Sequence, residues 1–420
     1  MLLFLKYYNF FAENSNLLLR HFGVELPYLR LILPLGISFY TLQAMSYMID
    51  VYRKKVVPDT NLAKFMLYMS FFPQIVQGPI NRHSQLADQL YSPHSFDYKR
   101  VCFGVQLILW GFMKKLIFAD LIGIPVDYIF DNYKDYTGLI LFFGAAGYGL
   151  QVYADFSGGM DITRGIAQIF GIDMVLNFEQ PYFSNSIENF WRRWHITLGS
   201  WMRDYIFYPL SLSKSFGNLG KKVRKIFGNY LGKRIPAFLA MFIVFILVGV
   251  WHGPQWKYIA YGVYNGIFIV FGILLDEKYA QARDKVGIDP ESVSWKIFQI
   301  LRSFILISIG RYFSRGRSFR AAVSMFRLSL IRWFDLSFLV DGTMNSIGID
   351  SAHWLVIILS LAVLLGVDYL HEKGVHIRET IANQHLIFRW FIYILAVVLL
   401  IIFGIYGPAY DSGAFIYEQF

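Results

Sequence analysis

Long apolar runs separated by short charged stretches recur along all 420 residues. Between Arg234 and Lys257 lie 22 positions without Asp, Glu, Lys or Arg, close to the ~20 residues a helix needs to cross a bilayer. A second uncharged run, 258–275, follows after that single lysine. Further runs at 31–49, 101–109 extended through 113, 137–154, 297–310, 354–367 and 386–406 predict spanning helices, the last carrying Arg389 near its start. The stretches 65–76 and 323–330 are short for a crossing. They are expected to be re-entrant or interfacial, which a membrane protein tolerates where the backbone faces a cavity. Roughly eight to ten membrane segments follow from the ~20-residue yardstick.

Composition agrees with that pattern. Hydrophobic residues make up 56% of the chain and charged residues 16%, which excludes an ordinary soluble domain and predicts an all-α, polytopic integral membrane protein. The net charge of +10 comes from Lys and Arg gathered between apolar runs. That is the positive-inside bias of cytoplasmic loops, not the footprint of a nucleic-acid binder. The densest cluster, 214–234, contains Lys221, Lys222, Arg224, Lys225, Lys233 and Arg234 and no acid. It is expected to be a cytoplasmic loop that either only sets topology or also binds anionic lipid headgroups or an acidic carrier. The stretch 127–135, with three acids and one lysine, is placed outside.

The single cysteine, Cys102, excludes an internal disulfide and any Cys-based metal site, and no metal centre is expected. The apolar start at 1–5 is too short for a signal peptide. No repeat, low-complexity tract or Gly/Ser linker divides the chain, so one membrane domain over 1–420 is expected.

Chemistry concentrates at two histidines. Phe190-Trp191-Arg192-Arg193-Trp194-His195 and Val250-Trp251-His252-Gly253 each set a histidine beside tryptophan in or next to apolar sequence. An ionisable ring there must be paired, solvated in a cavity or chemically employed. The two lie 57 positions apart, so only a folded bundle can bring them to one cavity. His252 ends the apolar run 238–251 and precedes Gly253-Pro254, where the helix ends and backbone groups are freed beside the imidazole. A histidine titrating near neutrality suits acid–base work at such a place. The plainer alternative is a helix-terminal ring bonded to a carbonyl. From Trp191 to Tyr205 the pattern is amphipathic and aromatic, as for a helix at the membrane interface. His195 shares its aromatic stripe and, taken alone, reads as a structural hydrogen-bonder. Tyr153-Ala154-Asp155-Phe156-Ser157-Gly158-Gly159-Met160-Asp161 predicts a break before another helix. Asp155 and Asp161 either line a polar vestibule or mark an interfacial turn, and for Asp161 capping of the next helix is the stronger expectation.

These residues resemble a family. Asp155-Phe156-Ser157-Gly158, Asn177-Phe178, Pro181-Tyr182, Phe190 to His195, Arg203-Asp204-Tyr205 and Trp251-His252-Gly253, in this order, are similar to the membrane-bound O-acyltransferases, or MBOAT proteins. The similarity is to the bacterial branch that acetylates alginate and D-alanylates teichoic acids. Upstream, Pro34-Leu35-Gly36-Ile37-Ser38-Phe39-Tyr40, Ile49-Asp50-Val51-Tyr52-Arg53, Phe72-Pro73-Gln74 and Gly78-Pro79-Ile80 match as well.

The resemblance implies an MBOAT-like ring of transmembrane and re-entrant helices around a central funnel in a multi-pass protein of the cell membrane. His252 matches the family's catalytic histidine and His195 its second functional histidine, with Trp194, Trp251, Asn189 and Asp155 as funnel lining. It implies no bound cofactor. An acyl group, acetyl first, passes from a cytoplasmic thioester, acetyl-CoA or an acyl carrier protein, toward an acceptor on the outer face. The implied product is an O-acetylated surface or exported polysaccharide. The implied partners are the donor, membrane lipid and an extracellular SGNH-type acyltransferase. Ala414-Phe415-Ile416-Tyr417-Glu418-Gln419-Phe420 resembles the branch's C-terminal motif, in which Tyr417 is either an acyl relay or an aromatic interface anchor.

Two features depart from the branch. The chain begins almost at Lys6-Tyr7-Tyr8-Asn9-Phe10-Phe11, where relatives carry further hydrophobic sequence, so it is expected either to lack N-terminal helices usual in the family or to be a shortened form. Pro209-Leu210-Ser211-Leu212 stands in place of Pro-Leu-Gly-Gly, which bears on donor or partner specificity. Two rivals stay open: D-alanyl transfer to teichoic acid from a carrier protein, and a proton-coupled transporter or flippase. Against the latter, the sequence has no paired halves with matching broken helices.

Overall fold

The computed structural model describes residues 2–406 except positions 35 and 76. The described residues form helices and no strand beyond an isolated bridge between Phe178 and Trp194. The order begins with α1 (Leu2–Leu19), α2 (Ile37–Tyr52), α3 (Leu62–Met69), α4 (His83–Tyr91) and α5 (Tyr98–Phe112). A π-helical stretch, Met113–Ala119, joins α5 directly to α6 (Asp120–Asp131). There follow α7 (Leu139–Ile169), α8 (Ile187–Arg193), α9 (Ile196–Met202), α10 (Tyr208–Ser211), α11 (Lys214–His252) and α12 (Trp256–Lys285). The chain ends with α13 (Val293–Arg315), α14 (Phe319–Leu330), α15 (Thr343–Ser346), α16 (Ser351–Glu372), α17 (Ile377–Ala382) and α18 (Leu386–Phe403).

Six of these, α7, α11, α12, α13, α16 and α18, are long and apolar enough to cross a bilayer. The larger expected number counted 31–49, of which only 37–49 falls in the 16-residue α2, and 101–113. The latter run continues into a π-helical stretch carrying Lys114 and Lys115. Capping residues mark several starts: Ser213, Ser292, Ser318 and Asp350 accept the backbone N–H groups of Phe216, Trp295, Ala321 and His353, satisfying donors that a helix start leaves without partners. α18 has no buried residue, so its apolar surface faces where lipid would lie.

Three local expectations are corrected. Gly158-Gly159 does not break the chain, because α7 runs through it as one helix of 31 residues. Glycine serves packing here. A Cβ on Gly111 would stand 2.6 Å from the Gly158 carbonyl oxygen, and one on Gly104 2.7 Å from that of Gly165. The reciprocal contacts are 2.8 and 2.6 Å, so two glycine pairs seven residues apart let α5 and α7 touch backbone to backbone. Asp161 caps nothing; it lies inside α7 and pairs with Lys114 at 2.7 Å. The basic cluster 214–234 is not a loop. It is helical, interrupted at Gly228, whose φ of 82° and ψ of 174° end one arm. The chain folds back so that a Cβ on Gly232 would strike Arg224 at 2.5 Å. Its lysines and arginines cover a helical hairpin at the foot of α11.

Candidate functional site

His252 is the last residue of α11, and Gly253 follows in extended backbone. A Cβ at Gly253 would stand 2.6 Å from the Tyr258 ring, so glycine is what lets α12 bring that phenol up to the helix end. Gly249 and Gly262 hold the same two helices together: a Cβ on either would lie 2.3 Å from a carbonyl oxygen of the other helix. The C-terminal carbonyls of α11 are claimed by α1. Lys6 Nζ donates to the Trp251 carbonyl at 2.8 Å and Tyr7 Oη to the Val250 carbonyl at 2.7 Å, a cation and a phenol where the helix dipole is negative.

His195 sits between α8 and α9 at φ 47° and ψ 53°, a left-handed conformation that costs energy in a non-glycine residue. The segment 177–179 holds it there. Ile196 N–H donates to the Asn177 carbonyl at 3.0 Å and Glu179 N–H to the Arg193 carbonyl at 3.0 Å. The Asn177 side chain completes the clamp, its Oδ1 accepting from Thr197 N–H at 3.0 Å and Thr197 Oγ1 at 2.9 Å. The same oxygen lies 3.2 Å from His195 Nδ1. An amide oxygen can only accept, so the network assigns the proton to Nδ1 and leaves Nε2 as the acceptor of the ring.

Trp251 joins the two histidines. Its ring lies 5.9 Å from that of His195 and 5.1 Å from that of His252, centroid to centroid. His252 also packs against Tyr261 at 6.2 Å and Tyr258 at 6.5 Å. With Trp194, Tyr148, Tyr258, Tyr261 and Arg311 it lines a cavity of ≈ 20 Å³, room for about one water.

A second cavity of ≈ 560 Å³ lies on the other side of an aromatic wall. Tyr153 and Phe178 line it, and both pack against Trp194, with ring centroids 6.1 and 5.1 Å apart. Asn177, the partner of His195, also faces it, as do Lys114, Asp161 and Arg378. At its edge Tyr153 Oη donates to Asp368 Oδ2 at 2.8 Å.

The remaining expected site residues are distributed as follows. Trp194 lines the small cavity and Trp251 separates the histidines. Asp155 is 1% exposed and pairs with Lys115 at 2.6 Å, while the same ammonium reaches Asp120 at 2.8 Å. It belongs to a buried ion-pair cluster between α7 and the π-helical stretch and lines neither cavity. Asn189 lies in the first turn of α8, where its backbone N–H donates to Ser186 Oγ, and it too is outside both linings. Tyr417 lies outside the described residues. Among the described residues no three His, Cys, Asp or Glu side chains converge as metal ligands.

Sequence reasoning overlooked Asn177 as a site residue, although its motif was in view, and overlooked Arg311 and Tyr261. Arg311 directly follows the run 297–310, and reading the span as ending at Gly310 put this cation at an interface. The helix continues to Arg315 and Arg311 is 3% exposed.

The chain is 33% identical over 326 residues to the probable alginate O-acetylase AlgI of Pseudomonas syringae pv. tomato, covering 77% of this chain and 57% of the relative. It is 30% identical over 352 residues to the peptidoglycan O-acetyltransferase of Helicobacter pylori, 77% of this chain and 61% of the relative. To the teichoic acid D-alanyltransferase of Bacillus subtilis it is 28% identical over 296 residues, 68% of this chain and 69% of the relative. The chain thus spans about three fifths of the length of the first two. Residues 53–286 match the membrane-bound O-acyltransferase family, a segment that holds both histidines, Asn177 and the paired glycines of α7, and the chain is a member of that family.

Proposed function

We propose that this protein is an acyltransferase that takes an acyl group, acetyl in the first instance, from a cytoplasmic thioester and delivers it to a hydroxyl acceptor for O-acetylation of a surface or exported polysaccharide. The observation that carries the proposal is the meeting of His195 and His252 on Trp251 beside a cavity the size of one oxygen-bearing group. In this reading His252 is the base. The acceptor O–H adds to the thioester carbonyl carbon while His252 takes its proton; the carbonyl then re-forms, the C–S bond breaks and the thiolate leaves with that proton. His195, held in one tautomer by Asn177, orients the donor. The ≈ 560 Å³ cavity has the size of a small-molecule site, and we assign it to the thioester arm. A small, aromatic-walled reaction chamber keeps water from the activated acyl group.

The test is the ester content of surface polymer in cells carrying wild type, His252→Ala or Tyr417→Phe, with membrane levels of each checked. We expect His252→Ala to insert normally and to abolish the ester. Unchanged ester in a normally inserted His252→Ala protein would remove His252 from the mechanism and reopen the transporter reading.

A second reading has its own support. Lys221, Lys222, Arg224 and Lys225 are exposed on the helical arm at the foot of α11, a surface complementary to an acidic acyl carrier protein. In that case the released ester group is D-alanine instead of acetate, and chemical identification of the hydrolysed acyl group separates the two.

A further inference from the structure

Among the described residues Arg311 is a buried cation without a counter-ion. It lies within the spanning helix α13 and is 3% exposed. Its Nη1 donates to Tyr261 Oη at 3.1 Å, and its guanidinium carbon stands 4.9 Å from the centre of the Trp194 ring and 5.9 Å from that of Tyr261. The phenols of Tyr148, Tyr182 and Tyr261 surround it. Among the described residues no carboxylate pairs with it, and its Nε and Nη2 find no acceptor in hydrogen-bonding geometry. Neutral phenols do not cancel a charge, and an uncompensated guanidinium inside a membrane protein is retained against its desolvation cost.

The cavity that Arg311 shares with His252 tells which anion it awaits. At ≈ 20 Å³ it is too small for a phosphate or a headgroup and has room for one oxygen atom. Tyr261 couples the two residues, holding Arg311 by its hydroxyl and packing against the His252 ring at 6.2 Å. Building on the acyl-transfer reading, we propose that Arg311 is a catalytic residue that binds the oxyanion formed on the donor's carbonyl oxygen during transfer at His252. As the acceptor oxygen bonds to the carbonyl carbon, the π pair moves onto the carbonyl oxygen, which accepts from the Arg311 Nε–H and Nη2–H groups. The acceptor's proton goes to His252. When the pair returns, the C–S bond breaks, the thiolate takes the proton from His252, and Arg311 is again without an anion. A donor aimed at charge that exists only in the transition state accelerates the reaction without tightening ground-state binding.

The test compares wild type, Arg311→Met and Arg311→Lys in two ways: ester content of the surface polymer in cells, and turnover of acetyl-CoA by the purified full chain in nanodiscs. Methionine keeps the apolar stem and removes the charge. We expect normal membrane levels and a kcat lower by about 10²- to 10³-fold, as on loss of one oxyanion donor, with KM for acetyl-CoA within threefold of wild type. Lysine, a charge without the planar fork, is expected to recover part of the lost kcat. If Arg311→Met does not accumulate, Arg311→Lys decides: full kcat overturns the proposal and a reduced kcat at unchanged KM supports it. A raised KM at wild-type kcat in either variant also overturns it, placing Arg311 in donor binding. Wild-type activity in Arg311→Met overturns this proposal alone, whereas a wild type that adds no ester to the polymer overturns the acyl-transfer reading and this proposal together.

Discussion

Asn177 shows how much one side chain carries in this site. Its Oδ1 accepts from two groups of Thr197 and lies against His195 Nδ1, while its Nδ2 reaches Met160 Sδ at 3.3 Å. It is 1% exposed. Asn177→Ala strands the buried Thr197 donors and frees the His195 ring to change tautomer. The expected cost is about 1–3 kcal/mol for buried groups left unsatisfied, read as a lower melting temperature of the detergent-purified protein. Asn177→Asp keeps the acceptor and is expected to retain more of the stability than alanine; an alanine variant melting with wild type would remove Asn177 from this role. The histidines themselves were legible in sequence because histidine beside tryptophan in apolar surroundings is conspicuous. Arg311 and Asp368 were not, for one reason: each sits just after the end of an apolar run, at 310 and 367, and a span drawn to end before that charge assigns it to the interface. Both are buried, at 3% and 6% exposure, because a partner inside the bundle, Tyr261 or Tyr153, lets the helix continue inward with its polar group engaged.

At the level of elements, glycine had two readings that sequence alone does not separate. Gly158-Gly159 has the composition of a turn, yet its neighbours are helical and the missing side chains admit another helix. The paired contacts of Gly104 with Gly165 and Gly111 with Gly158 follow the small-residue packing by which helices associate in lipid. Gly158→Ala drives a methyl to within 2.8 Å of the Gly111 carbonyl and 3.4 Å of Lys114 Cβ, so α5 and α7 must part. The expected loss is about 1–3 kcal/mol, typical of overpacking. Gly217→Ala is the control: that helical glycine has nothing within 4 Å of its added Cβ, and the substitution is expected to leave stability unchanged or raise it by up to ~1 kcal/mol. Equal melting temperatures for the two variants would contradict the packing role. The basic arm was misread in the opposite direction. Its charge density looks like a loop, but Ser213 caps it and Gly228 ends it, so the polarity marks an exposed helix face.

Across the whole molecule, ion pairs and hydrogen bonds sort the helix ends into two sets. Lys257 donates to the Gly316 carbonyl, Arg315 pairs with Asp127, and Arg317 pairs with Asp131. The starts of α7 and α12 and the ends of α6, α11 and α13 therefore share one face, and His252 lies toward it. On the opposite face Arg234 pairs with Glu277, Arg193 with Glu372, and Arg378 donates to the Phe103 carbonyl. The basic arm and the ≈ 560 Å³ cavity belong to that second set. If the arm is cytoplasmic, as the positive-inside bias predicts, the large cavity opens to the side of the proposed thioester donor, and His252 lies nearer the side of the proposed acceptor. In the proposed reaction the wall of Tyr153, Phe178 and Trp194 then stands between the cavity assigned to the donor and the His252 chamber. Single cysteines at Lys221, Arg378, Asp131 and Arg317, each in a Cys102→Ser background, test this with a membrane-impermeant maleimide. We expect positions 131 and 317 to label in intact cells and 221 and 378 only after permeabilisation. The reverse pattern would place the large cavity on the acceptor side and require the thioester to enter through the His252 chamber, which at ≈ 20 Å³ cannot admit it.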